Sequence, residues 1–168
     1  MKKDFVLPVI VLAVICLVMS GALALINHVT YPIVSEAAAE RAELAMREII
    51  PGADEFVLLS NEGLPESIVE AYTTSNNTGF IFIVTTFGYG GEITIICGID
   101  PQGLIINTLT LSHTETKGIS DPVFNMQPEY IGKDVSLAGI DAISGATITS
   151  NAYKKGISDA FLAFEIIK

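Results

Sequence analysis

The feature that most constrains this chain is an almost unbroken apolar run over residues 5–26. A helix needs roughly 20 apolar residues to cross a bilayer, and the run meets that length. No Asp, Glu, Lys or Arg occurs between Asp4 and Glu36. Pro8 falls near the start of the run, where a helix tolerates proline. Lys2 and Lys3 precede it. Positive charge stays on the cytoplasmic side, so the expected arrangement is N-terminus inside and everything after Ile26 outside. Ala22-Leu23-Ala24 offers a competing reading as a cleavage site, but the run exceeds the roughly 7–15 residues of a signal h-region. Cys16 follows Ile15, which is not small as a lipoprotein pattern requires, and reads as a membrane-buried thiol.

The remainder is acidic. The chain has nine Lys/Arg and nineteen Asp/Glu. Without Lys2, Lys3 and Asp4, seven and eighteen remain, a net charge of −11 from Glu36 onward. Such a surface repels nucleic acid and anionic lipid and suits a basic protein partner or plain solubility. Cys97 is the one cysteine outside the apolar run. It therefore has no disulfide partner there, and no Cys-rich metal site can form. Its isoleucine neighbours mark it as a buried strand residue.

The pattern predicts an exit segment over residues 27–35 containing Pro32, then a helix over residues 36–50 that continues from the anchor and carries the domain away from the bilayer. Leu44, Ile49 and Ile50 give that helix a modest apolar face, and Pro51-Gly52 stops it. Strands are predicted at residues 56–59, 67–73, 79–87, 92–99 and 104–111. They are separated by Ser75-Asn76-Asn77, Gly88-Tyr89-Gly90-Gly91 and Asp100-Pro101-Gln102-Gly103, which carry turn chemistry. Short links between successive strands make this an antiparallel meander. Residues 113–133 show no period and read as a long functional loop with short helical turns. Tyr153, Ile157, Phe161 and Phe164 recur at helical spacing and predict a C-terminal helix packed on the sheet. The fold class is α+β: an N-terminal transmembrane helix, then an antiparallel sheet flanked by helices. The division is 1–35 for the cytoplasmic N-terminus, membrane helix and exit segment, and 36–168 for the extracytoplasmic domain.

Chemistry concentrates at Asp141-Ala142-Ile143-Ser144-Gly145-Ala146-Thr147-Ile148-Thr149-Ser150, just ahead of the last helix. The first N–H groups of a helix lack partners and its dipole favours negative charge, so a phosphate-bearing group suits this turn. Gly145 lets backbone approach a ligand and Ala146 keeps the wall thin. Ser144, Thr147, Thr149 and Ser150 can donate to phosphate oxygens. An ordinary N-cap cluster fits the same residues. Gly88 to Gly91 reads either as a hairpin turn or as a backbone wall beside a ligand. His113 and Glu115 suggest an acid/base or metal pair, but one His and one Glu in an irregular loop are weak evidence, and no metal site is expected. His28 and Tyr31 fit the membrane interface.

Asp141-Ala142-Ile143-Ser144-Gly145-Ala146-Thr147 resembles the flavinylation motif of the FMN-binding domain family. That family includes the G subunit of Rnf-type electron transport complexes and the C subunit of the sodium-pumping NADH:quinone reductase. The resemblance implies covalent FMN, joined by a phosphoester to Thr147 and installed by a separate flavin transferase, so Thr147 is an acceptor and no residue is catalytic. It extends along most of the chain: the N-terminal anchor, Ile49-Ile50-Pro51-Gly52-Ala53, Gly88-Tyr89-Gly90-Gly91-Glu92-Ile93, Gly98-Ile99-Asp100 with Gly103, and Ser112-His113-Thr114-Glu115-Thr116-Lys117-Gly118. The last segment is similar to a flavin-lining motif that usually ends Glu-Thr-Pro-Gly. Lys117 stands in place of the proline, which puts a cation near the flavin and would favour its reduced anionic form.

The cofactor contacts implied by the resemblance are Ser144, Gly145, Ala146, Thr149, Ser150, Tyr89, Gly90, Gly91, Glu115, Thr116, Lys117 and Gly118. The implied function is an electron-relay component of a redox-driven, ion-translocating complex that passes electrons between ferredoxin and NAD. Its partners would be the integral and peripheral subunits of that complex, at the cell membrane. A stand-alone anchored flavoprotein for extracytoplasmic electron transfer and a cofactor-free tethered scaffold are the alternatives.

Overall fold

The computed structural model describes residues 2–168, with side chains described from residue 6 onward. The Lys2–Lys3 pair behind the expected orientation lies outside those described side chains. One long helix, α1 (Lys2–Ile49), opens the chain. It is long and apolar enough to cross a membrane. The helix over residues 36–50 does continue from the apolar run, but no separate exit segment interrupts it: residues 27–35 are helical, with Pro32 inside the helix. That stretch has no glycine and no second proline. Thr30 donates to the Ile26 carbonyl and Ser35 to the Pro32 carbonyl, both at 2.9 Å, so hydroxyls bond the backbone on either side of the proline.

The chain divides into two compact units between Glu40 and Arg41. The second unit, Arg41–Lys168, holds five strands: β1 (Phe56–Leu58), β2 (Ile68–Thr74), β3 (Phe80–Phe87), β4 (Glu92–Ile99) and β5 (Ile105–His113). They form one antiparallel sheet in sequence order. Turn chemistry sets the links. Asp100 Oδ1 accepts from the N–H groups of Gln102 (2.9 Å) and Leu104 (2.8 Å), and Gly103 takes φ +85°. Thr74 Oγ1 accepts from Thr78 and Gly79 at the β2–β3 turn.

Both faces of the central strands are covered. On one face Phe82, Val84, Ile93, Ile95 and Cys97 pack with Tyr153, Ile157, Phe161 and Phe164 of α4 (Thr147–Ile167). On the other, Ile81, Ile83 and Ile96 pack with Ala45, Met46 and Ile49 from the end of α1. The face expected through Leu44 is corrected. Leu44 is exposed, and the seam is Ala42, Ala45, Met46 and Ile49, the i, i+3, i+4, i+7 set of one helix face. Gly98 lets that seam approach β4, because a Cβ there would collide with Ile49 Cγ2.

Cys97 is fully buried in β4. Burial pushes its thiol up to about 12. A raised thiol pKa removes stability as pH climbs above the unfolded-state value, because the unfolded chain releases the proton first. In the native protein, iodoacetamide at pH 8 is expected to leave Cys97 unmodified until the domain is unfolded. Peptide mapping that finds rapid native alkylation at Cys97 would contradict this burial.

Residues 114–146 are irregular apart from the two single-turn helices α2 (Asp121–Phe124) and α3 (Gln127–Tyr130). Val123, Tyr130, Leu137 and Ile140 pin them to the core. Gly132 N–H donates to the Ile105 carbonyl (2.8 Å), Ile105 N–H donates to the Lys133 carbonyl (2.9 Å), and Lys154 Nζ reaches the Ile140 carbonyl at 2.9 Å.

Candidate functional site

α4 begins at Thr147, within the expected turn. Gly145 takes φ +86°, a left-handed conformation that favours glycine. Ala146 is the N-cap residue and no side chain caps the helix. The first N–H groups of α4 are therefore left to a ligand or to water. Thr147 is exposed. The turn behind it is fixed from within: Ser150 Oγ donates to the Ala146 carbonyl (2.9 Å) and accepts from Ile143 N–H (3.1 Å).

Two of the expected phosphate donors have protein partners in this structure. Ser150 is buried and its hydroxyl braces the turn. Thr149 is buried, and its hydroxyl donates to Glu115 Oε2 at 2.9 Å. Ala146 is buried and packs with the core below the turn.

A cavity of about 360 Å³ opens at this helix start. It is lined by Gly145 to Thr149 from the helix start, by Glu115, Thr116, Ile119 and Ser120 from the loop after β5, and by Tyr89 from the β3–β4 turn. Of the expected contacts, Gly145, Ala146, Thr149, Tyr89, Glu115 and Thr116 line it together with Thr147. Ser144, Ser150, Gly90, Gly91, Lys117 and Gly118 do not. Lys117 is exposed, and the charged group in the wall is the Glu115 carboxylate. Ile119, Ser120 and Ile148 also line the cavity, beyond the contacts expected from sequence. Ile148 is legible as the residue after the acceptor threonine. Ile119 and Ser120 lie in the stretch with no period.

The Gly88–Gly91 turn closes the β3–β4 hairpin, with Gly88 N–H bonded to the Gly91 carbonyl at 2.8 Å. It is also held against the next loop. Gly90 N–H donates to Glu115 Oε1 at 2.9 Å. A Cβ at Gly88 would sit on Glu115 Oε1, and one at Gly91 would sit on Thr114 Oγ1. Gly88→Ala is therefore expected to displace the Glu115 carboxylate and cost about 1–3 kcal/mol, as overpacking does. A thermal melt matching that of the parent chain would contradict the close approach.

His113 stacks on Phe124 with ring centroids 4.2 Å apart, and its Nδ1 is buried without a hydrogen-bond partner. Among the described residues no group of three or more His, Cys, Asp or Glu is arranged to hold a metal.

The residues fit a flavin mononucleotide. Tyr89, Ile119 and Ile148 are large apolar side chains left 77%, 58% and 57% exposed around one cavity, which suits a planar aromatic ring. The uncapped start of α4 suits its phosphate. When bound, such a group supplies the redox chemistry, and the protein supplies position and electrostatics.

Residues 88–161 match the FMN-binding domain family. The matched segment runs from the first glycine of the β3–β4 turn into α4 and takes in Glu115 and Thr147. The chain is 26% identical to the G subunit of the ion-translocating oxidoreductase complex of Shewanella piezotolerans, over 98% of this chain and 91% of that protein. It is 28% identical to the G subunit of the Na⁺-translocating ferredoxin:NAD⁺ oxidoreductase complex of Acetobacterium woodii, over 93% and 89%. It is 26% identical to the G subunit of the proton-translocating ferredoxin:NAD⁺ oxidoreductase complex of Clostridium ljungdahlii, over 89% and 85%.

Proposed function

We propose that this chain is the electron-relay G subunit of a membrane-bound Rnf-type complex, with FMN joined through its phosphate to the hydroxyl of Thr147. The observation that carries the reading is the cavity at the uncapped start of α4, where Thr147 is exposed and Tyr89, Ile119 and Ile148 offer apolar walls. The near full-length similarity to the G subunits of three such complexes supports the wider assignment. Thr147 is the acceptor, a flavin transferase makes the bond, and the chain turns over no substrate of its own. Residues 1–35 anchor the protein with the N-terminus inside, and residues 36–168 form the extracytoplasmic domain. The anchor keeps the flavin among integral partners, and the covalent bond retains it where free FMN would be lost.

Membranes from cells lacking this chain are expected to lose ferredoxin-dependent NAD⁺ reduction. The parent gene should restore it and the Thr147→Ala gene should not. Unimpaired activity in the deletion would overturn the assignment to the complex. For orientation, protease added to right-side-out vesicles should digest the domain. Protection in right-side-out vesicles and digestion in inverted ones would reverse the assigned topology.

A further inference from the structure

The Glu115 carboxylate joins three segments that are far apart in sequence. Oε1 accepts from Gly90 N–H in the β3–β4 turn and Oε2 accepts from Thr149 Oγ1 in the first turn of α4, both at 2.9 Å. Glu115 itself lies in the loop after β5 and is 8% exposed. It also lines the cavity. The ion pairs among the described residues are Arg47–Glu43 and Lys155–Asp159, so no cation within 4 Å pairs with Glu115 there. A buried carboxylate without a paired cation is costly to keep. Two charge-assisted hydrogen bonds offset part of that cost.

We infer that Glu115 is a positioning residue of the flavin site: it clamps the first turn of α4, and with it Thr147, against the glycine hairpin, and its charge makes added electrons on the flavin less favourable. This rests on the reading that Thr147 carries FMN. The clamp acts through geometry. Thr147 is two residues before Thr149, so releasing Thr149 frees the helical turn that presents the acceptor hydroxyl. The charge acts through space. A reduced, anionic flavin in this cavity meets a buried negative wall, and like charges raise each other's energy most where water is excluded. Lys117 is exposed outside the cavity lining and counters this weakly.

Glutamine separates the two roles. Its carbonyl can accept from Gly90 N–H and its amide can donate to Thr149 Oγ1, so Glu115→Gln keeps the clamp and removes the charge. Glu115→Ala removes both. The full chain is coexpressed with flavin transferase, flavin loading is followed by fluorescence on denaturing gels, and the midpoint potential is read by dithionite titration with a redox dye. Loading of Glu115→Ala is expected to slow by about tenfold or more, as misplacement of a reacting group does. Glu115→Gln is expected to load like the parent and to show a higher midpoint potential. Lys117→Ala should move the potential less than Glu115→Gln does. If Glu115→Ala fails to fold, Thr149→Val, which removes one arm of the clamp, is read for loading in its place.

Parent-like loading of the clamp-breaking variant overturns the positioning role. An unchanged potential in Glu115→Gln, or a larger shift in Lys117→Ala, overturns the electrostatic one. A parent chain that takes no flavin overturns the proposed function itself, and this inference with it.

Discussion

Thr147→Ala is expected to abolish covalent flavin on this chain. Coexpressed with flavin transferase, the parent protein should give a fluorescent band on a denaturing gel and the variant none. The reason is chemical before it is structural. A phosphoester needs a hydroxyl, and at the open start of α4 the exposed one lining the cavity is that of Thr147. The neighbouring hydroxyls have other partners: Thr149 is bonded to Glu115, and Ser150 to the turn it braces. Because Thr147 is exposed and caps nothing, its truncation should change stability by no more than about 0.5 kcal/mol. Parent-like melting with complete loss of fluorescence is the expected pair of results. A band that persists in Thr147→Ala would move the attachment to another hydroxyl.

Tyr153→Ala carries the largest expected effect on stability. The ring is fully buried against the sheet, at centroid distances of 6.2 Å from Phe124 and 5.6 Å from Tyr130. It therefore ties α4 to both α2 and α3, the two turns that shape the loop around the cavity. Losing a large aromatic from a core costs about 3–5 kcal/mol in lost burial and residual cavity. Natural domains hold only about 5–15 kcal/mol in total, so the melting temperature should fall by an amount on the order of 10 °C. The hydroxyl is a minor part. It donates to Thr108 Oγ1 at 3.5 Å, a long bond, so Tyr153→Phe should cost about 1 kcal/mol at most. Burial raises the Tyr153 pKa, so the phenol stays neutral and pH between about 6 and 9 should not alter the comparison. Equal destabilisation by the two variants would mean that the hydroxyl, not the ring, holds the loop.

The fold is readable from sequence where its signals are local. β4 falls on residues 92–99 as expected, and Tyr153, Ile157, Phe161 and Phe164 are all buried in α4. The exit segment is not, because Pro32 reads as a breaker while the two hydroxyls that bond the backbone around it carry no such signal. Leu44 misleads by its side chain alone: helical spacing puts Ala45 and Met46, not Leu44, beside Ile49.

The site divides in the same way. Gly145 and Thr147 are readable as a turn and a helix start. The commitment of Thr149 is not, because its partner is set by the folded chain, whereas Ser150 bonds within its own turn. For Thr149 the partner is 34 residues away. Ile119 and Ser120 are out of reach because the loop that carries them has no period. Its shape comes from distant anchors at Val123, Tyr130, Leu137 and Ile140.

The most direct test of the central claim is mass spectrometry of the peptide containing Thr147, from protein made with flavin transferase. The peptide should be heavier by one FMN less one water, and fragmentation should assign the added mass to Thr147. An unmodified Thr147 peptide, or the same added mass on Thr149 or Ser150, would contradict the account.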